Sequence, residues 1–160
     1  MTATAHALVS GAIVAAIPNP AVSLPLVFAS HFIMDLIPHW DFGTNWRGRS
    51  KFFTGFIAIA DTIIGFTLTY FLFAGKVAPP LLLTAAALGN LPDWLEAPYY
   101  IFFAQQNKKD ISQSSSFLEK LTYRIYKIEN LFHTKADFPF GALTQVGAVA
   151  FFFFLLSFNR

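Results

Sequence analysis

His31 and Asp35 lie four residues apart in Ser30-His31-Phe32-Ile33-Met34-Asp35, a run otherwise dominated by apolar side chains. On a helix this spacing projects both groups from one face, where an imidazole and a carboxylate can chelate one ion or bridge two. Asn90 and Asp93 stand at i and i+3, and Pro92 between them interrupts the hydrogen-bond ladder and frees a backbone carbonyl nearby. The chain has four histidines, His6, His31, His39 and His133, and no cysteine. Disulfides, thiolate ligands and a Cys nucleophile are thereby excluded, and any metal is left to imidazole, carboxylate and water.

These groups sit in unusual company. Of 160 residues, 55% are hydrophobic, 18% aromatic and only 12% charged, against roughly a quarter charged in soluble domains. Asp35, Asp61, Asp93 and Glu96 all fall in apolar stretches, and each would cost about 2.5–3.5 kcal/mol near a bilayer centre. Relief comes from a partner, a water-filled cavity, protonation or a bound cation. The nearby histidines favour the cation.

The elements that must carry these residues are apolar helices. Spans are expected at about 3–17, 21–37, 52–74, 80–104 and 140–158, the first two parted by Pro18-Asn19-Pro20. The fold class read from this pattern is all-α, a polytopic membrane bundle of about five transmembrane helices in one domain without internal repeats. No basic start and no small-residue cleavage site precede the first helix, which is read as retained. A capping box, Ser116-Phe117-Leu118-Glu119, opens a further amphipathic helix over about 116–133. Its stripe of Phe117, Leu121, Ile125, Ile128 and Phe132, with Lys120, Arg124 and Lys127 off it, suits a helix resting in the membrane interface or one packed on the bundle.

Basic residues set the orientation. Arg47, Arg49 and Lys51 lie in the first polar interruption and Lys108, Lys109, Lys120, Arg124, Lys127 and Lys135 in the second, leaving only Lys76 and Arg160 for the other side. Five spans with the N-terminus inside satisfy this split. In that frame His6, His31, Asp35, His39, Asp41, Asp61, Asn90, Asp93 and His133 all fall toward the inner side, at about 1.5 Å of depth per residue. One shared polar site is expected. Thr54, Ala58, Asp61 and Gly65 form a small and polar stripe that permits close helix approach.

Plainer roles remain open for each group. His6 can be an interface histidine, Asp61 and Asp93 can fasten helices by hydrogen bonding, Glu96 can reach the headgroups, and Asp41 can be a solvated loop acid. Trp40, Trp46, Trp94, Tyr99 and Tyr100 read as belt residues at membrane borders.

At these residues the chain resembles the YdjM-like family of small inner-membrane proteins, described as membrane-bound metal-dependent hydrolases. The matching pieces are His6 to Gly11, Ser30 to Asp41 with its Pro38-His39-Trp40-Asp41, and Asn90-Leu91-Pro92-Asp93. They cover about the first hundred residues. Through that family the chain is distantly similar to zinc-dependent phospholipase C enzymes, which hold metal with His-x-x-x-Asp pairs. The resemblance implies metal ligation by His6, His31, Asp35 and Asp93, with His39 and Asp41 at the site margin. A later family segment, two histidines around Arg-Gly, corresponds here to His133-Thr134-Lys135, which adds His133 to the ligands, whereas a second acid two residues beyond Asp93 is lacking.

The expected function is a membrane-embedded hydrolase holding one or two divalent ions, Zn²⁺ or Mn²⁺ from the ligand types, acting on a lipid phosphoester in the cytoplasmic membrane of a bacterium or archaeon. Asp61 is the candidate general base, with His39 and Asp41 as further catalytic candidates. Membrane lipid and a lipid-like substrate are the expected partners, and a formal charge of +2 offers no basic face for nucleic acid. Two rivals are an ion- or proton-coupled transporter, whose polar path must reach both sides, and an assembly protein whose polar cluster only fastens helices.

Overall fold

Thr2 starts the first helix. Its side chain accepts a hydrogen bond from the backbone N–H of Ala5, and α1 then runs over Ala3–Ala16. Asn19 caps α2, Pro20–Asp35, in the same way, with Pro20 in the first turn where its missing N–H costs nothing. Ser50 caps α3, Lys51–Phe73. Pro79 opens α4, Pro79–Pro98, which continues as a π-helical turn over Tyr99–Phe103. Ser116 accepts from the Glu119 N–H at the start of α5, Phe117–Phe132, and α6 is Phe140–Ser157. This computed structural model describes residues 1–42, 48–104 and 115–157, and the expectations placed on Trp46, Arg47, Lys108, Lys109 and Arg160 lie outside them. Among the described residues the chain is all-α, with one isolated backbone bridge, His39 to Lys135, and no strand.

α1 is the central helix and packs on α2, α3, α4 and α6. Its side chains are small enough for this, and Ala5, Val9, Ala12, Ile13 and Val14 are buried with Val27, Met34, Leu82 and Ala85 in the main core. The expected close approach along the Gly65 stripe is present, since a Cβ at Gly65 would lie 2.7 Å from Cα of Thr4 on α1. Asp61, one turn earlier on α3, reaches the same end of α1. Its carboxylate accepts from the backbone N–H of Ala3 at 2.6 Å and from the Thr4 hydroxyl at 2.6 Å.

Among the described residues, α3 alone is long and apolar enough to cross a membrane by length and composition. α1, α2 and α6 are apolar but shorter, and α1 at 14 residues reaches only about 21 Å. α3 turns much of its apolar surface outward, including Phe52, Phe56, Ile59, Ile63 and Phe71.

α5 lies against α4, the π-helical turn and α2. The face it presents to them is not its apolar stripe. Thr122, Tyr123 and Glu129 are buried, whereas Phe117, Leu121, Ile128 and Phe132 are exposed. Tyr99, expected at a membrane border, is instead buried at 1% exposure in a cluster with Tyr100, Tyr123 and Tyr126. The phenol rings join the π-helical turn to α5. Trp94 remains exposed.

Candidate metal centre

Asp35 ends α2 and is almost fully enclosed, at 1% exposure. All four histidines of the chain surround it. His6 Nε2 on α1 lies 3.2 Å from Oδ1 and His31 Nε2, one turn back on α2, lies 3.5 Å from Oδ2. His39 Nε2 stands 3.8 Å from Oδ1 and His133 Nδ1 3.5 Å from Oδ2. The Met1 amino group also contacts Oδ1.

Local backbone structure explains how residues so far apart in sequence meet. After α2 the chain runs extended through His39, and after α5 it runs extended through Lys135. Thr134 N–H donates to the Asp35 carbonyl at 2.9 Å, His39 N–H to the Thr134 carbonyl at 3.0 Å and Ala136 N–H to the His39 carbonyl at 2.8 Å. This short parallel clamp sets His39 and His133 side by side, their Nε2 atoms 2.9 Å apart.

The remaining ring nitrogens show how the imidazoles are oriented. His31 Nδ1 lies 2.8 Å from the Gly89 carbonyl and His39 Nδ1 lies 2.8 Å from the Ile37 carbonyl. A carbonyl only accepts, so Nδ1 carries the proton in each ring and the neutral form turns a lone pair on Nε2 toward Asp35. Gly89 belongs to the α4 turn before Asp93, next to Leu88, whose carbonyl Pro92 leaves without its helical N–H donor. His133 uses the opposite nitrogen. Its Nε2 lies 2.8 Å from Asp41 Oδ2, which leaves Nδ1 facing Asp35.

Asp41 is buried, and burial raises the cost of its charge. The hydrogen bond from His133 and the Lys135 ammonium, 3.7 Å away, outweigh that cost and hold its carboxyl well below the usual carboxylate range. Asp41 is therefore an ionised orienting partner of His133.

Two sets of ligand atoms result. His6, His31 and Asp93 form one, and Asp35, His39 and His133 the other, with the atoms of each set within 4.8 Å of one another. Several of these atoms are buried and lack hydrogen-bond partners, namely both ring nitrogens of His6, His31 Nε2 and Asp35 Oδ2. Unmade hydrogen bonds at buried polar atoms cost about 1–3 kcal/mol each. Imidazole and carboxylate donors gathered without thiolate or hydroxyl company fit a divalent metal ion, and these buried His/Asp groups can hold one.

The structure brings together His6, His31, Asp35, His39, Asp41, Asp93 and His133, with His39 among the ligand atoms and Asp41 beside them as the partner of His133. Asp61 stands apart from both ligand sets. The first N–H groups of α1 have no helical acceptor, and the Asp61 carboxylate satisfies them at the positive end of that helix. Glu129 was not anticipated. It is buried on α5, with Oε2 3.6 Å from His31 Nε2. Its spacing to His133, again i and i+4, was the available signal, overshadowed by the apolar stripe on the same helix.

A cavity of about 700 Å³ opens beside the cluster between α3 and α4. Asp41, Asp93 and His133 reach it from the cluster, and Glu96 also lines it. Ala58, Ile59 and Ile63 give it an apolar side, and Arg49, Lys51 and Lys135 supply cationic groups. Comparison with family models, curated proteins and solved structures gave no match to this chain.

Proposed function

We propose that this protein is a membrane-embedded, metal-dependent phosphohydrolase acting on a lipid phosphoester. The single observation that carries this reading is the pair of buried His/Asp ligand sets meeting at Asp35 and opening, through Asp93 and His133, on a cavity with both apolar and cationic walls. The resemblance of the His6, His31–Asp35 and Asp93 segments to the YdjM-like family supports the same reading.

His6, His31 and Asp93 would hold one ion and Asp35, His39 and His133 a second, with Zn²⁺ or Mn²⁺ suited to these donors. When bound, such an ion acidifies water and neutralises charge developing on a phosphoryl oxygen. The protein's own groups supply the rest. Asp41 fixes the His133 tautomer, the Gly89 and Ile37 carbonyls fix His31 and His39, and Arg49, Lys51 and Lys135 attract the substrate phosphate. The apolar side of the cavity accommodates the beginning of an acyl chain. Asp61 anchors α1 and also lines the cavity, as does Glu96, so on this reading proton transfer falls to these two carboxylates outside the ligand sets.

Membrane residence is part of the proposal. It is supported by α3, by the outward-facing phenylalanines and isoleucines, and by the basic residues gathered in the two polar interruptions. The arrangement proposed is a protein of the cytoplasmic membrane with its N-terminus on the inner side and the polar cluster toward the inner leaflet. The transport alternative draws less support. Ser10, Ser23 and Asn90 donate back to carbonyls one turn earlier in the chain, and neither these three nor Thr69 lines the cavity.

The test is phosphate release from vesicles containing a lipid phosphoester, with added Zn²⁺ or Mn²⁺. Hydrolysis that chelation stops and Asp35→Ala abolishes is expected. Ion flux through the same vesicles without hydrolysis would favour the transporter.

A further inference from the structure

α5 has two faces with opposite relations to the molecule. Its inner face carries Glu129 against His31 and leads into His133 at the helix end, so this face closes the polar cluster. On the outer face Phe117 and Leu131 are 81% and 78% exposed, with Leu118, Leu121 and Ile128 exposed between them. At 100° per residue these side chains form one strip along the helix. Lys120 and Lys127 run along one border of the strip, Arg124 lies within it, and Lys127 lies over the Tyr123 ring at 5.4 Å. The helix has 16 residues and five charged side chains, so it is about 24 Å long and unsuited to crossing a bilayer.

We propose that the outer face of α5 docks in the plane of an anionic lipid leaflet, with its apolar strip in the acyl boundary and Lys120, Arg124 and Lys127 at the headgroups. An apolar strip bordered by cations is complementary to a surface that is apolar below and negative above. The proposal rests on the membrane reading given above. It goes beyond that reading in assigning a lipid charge requirement to one helix, the one that seats Glu129 and His133.

The absence of cysteine makes the test direct, because a single introduced cysteine carries the only label. Full-length protein bearing an environment-sensitive fluorophore at Leu121→Cys, Leu131→Cys, Asn130→Cys or Ile63→Cys is reconstituted into vesicles containing a lipid-borne quencher. The vesicles are either purely zwitterionic or contain anionic phosphatidylglycerol. Quenching at 121 and 131 is expected in anionic vesicles, with weak quenching at 130, which lies off the strip. Lys120→Gln, Arg124→Gln and Lys127→Gln together should remove it, each charge contributing roughly a fivefold change in partition. Quenching at 63 but not at 121 or 131 overturns the docking while leaving the membrane reading intact. Equal quenching at 121 and 131 in zwitterionic vesicles overturns the charge requirement. No quenching at 63 removes the membrane reading and the docking with it.

Discussion

His31 Nδ1 sits 2.8 Å from the carbonyl oxygen of Gly89, and this bond turns the opposite nitrogen of the ring toward Asp35, Asp93 and Glu129. A helix backbone thus determines which face of an imidazole is free to bind a cation, and three carboxylates converge on that face.

Glu129 extends the His6, His31 and Asp93 set from a helix that sequence reasoning placed either in the interface or on the bundle. Glu129→Gln keeps the side-chain volume and removes the charge. Metal affinity of the set containing His31 is expected to fall by about 10–100-fold, while the set of Asp35, His39 and His133 keeps its ion. Stepwise dialysis against a chelator, followed by elemental analysis, would then remove one ion before the other. Unchanged release from both sets would exclude Glu129 from the centre.

Asp41 bonds the nitrogen of His133 that faces away from Asp35. Asp41→Asn should therefore also weaken metal binding by roughly 10–100-fold, this time at His39 and His133. Isothermal titration with Zn²⁺ on metal-stripped protein measures the change. A drop confined to the His31 set would contradict the orienting role.

Asp61 tests the separation between scaffold and site. Asp61→Ala leaves the first turn of α1 without its acceptor and should lower stability by about 0.5–2 kcal/mol, seen as a lower midpoint of thermal unfolding in detergent. Metal stoichiometry should not change. Loss of metal with unaltered unfolding would place Asp61 in the centre after all.

Gly65 lies where α3 meets the backbone of α1, and a methyl group there would stand 2.7 Å from Thr4 Cα. Backbone cannot yield as a flexible side chain can, so Gly65→Ala should destabilise by about 1–3 kcal/mol. Because α1 carries His6, its displacement should also loosen metal at the His31 set. An unfolding midpoint equal to that of wild type would show that α1 and α3 separate freely.

Much of the centre was legible from local spacing. His31 and Asp35 share a helix face whatever the surroundings, and the expectation that His6, Asp93 and His133 join them followed from counting residues along helices. Parts that depend on tertiary contact were not legible. The clamp between the Asp35–His39 and Thr134–Ala136 segments involves backbone groups, which leave no mark on residue type, so the place of His39 among the ligand atoms did not show in the sequence. For Asp61, sequence gives its depth but not the nearest orphan donors, which belong to α1, nor its place on the cavity wall. The apolar stripe of α5 suggested a helix resting in the membrane interface or packed on the bundle by that stripe, and in the fold the stripe points away from the bundle and the polar edge carries Glu129 inward. Tyr99 was read from its amphipathic ring alone, without the three other tyrosines that enclose it.

The most direct measurement is the metal content of purified protein, wild type and the His31→Ala, Asp35→Ala double variant, by elemental analysis after loading with Zn²⁺ or Mn²⁺ and gel filtration. Helical circular dichroism of the double variant verifies that it remains folded. Near-stoichiometric metal in the wild type and its loss from the folded double variant is the predicted result. Stoichiometric metal that persists without His31 and Asp35, or a wild type that retains none, would contradict the account.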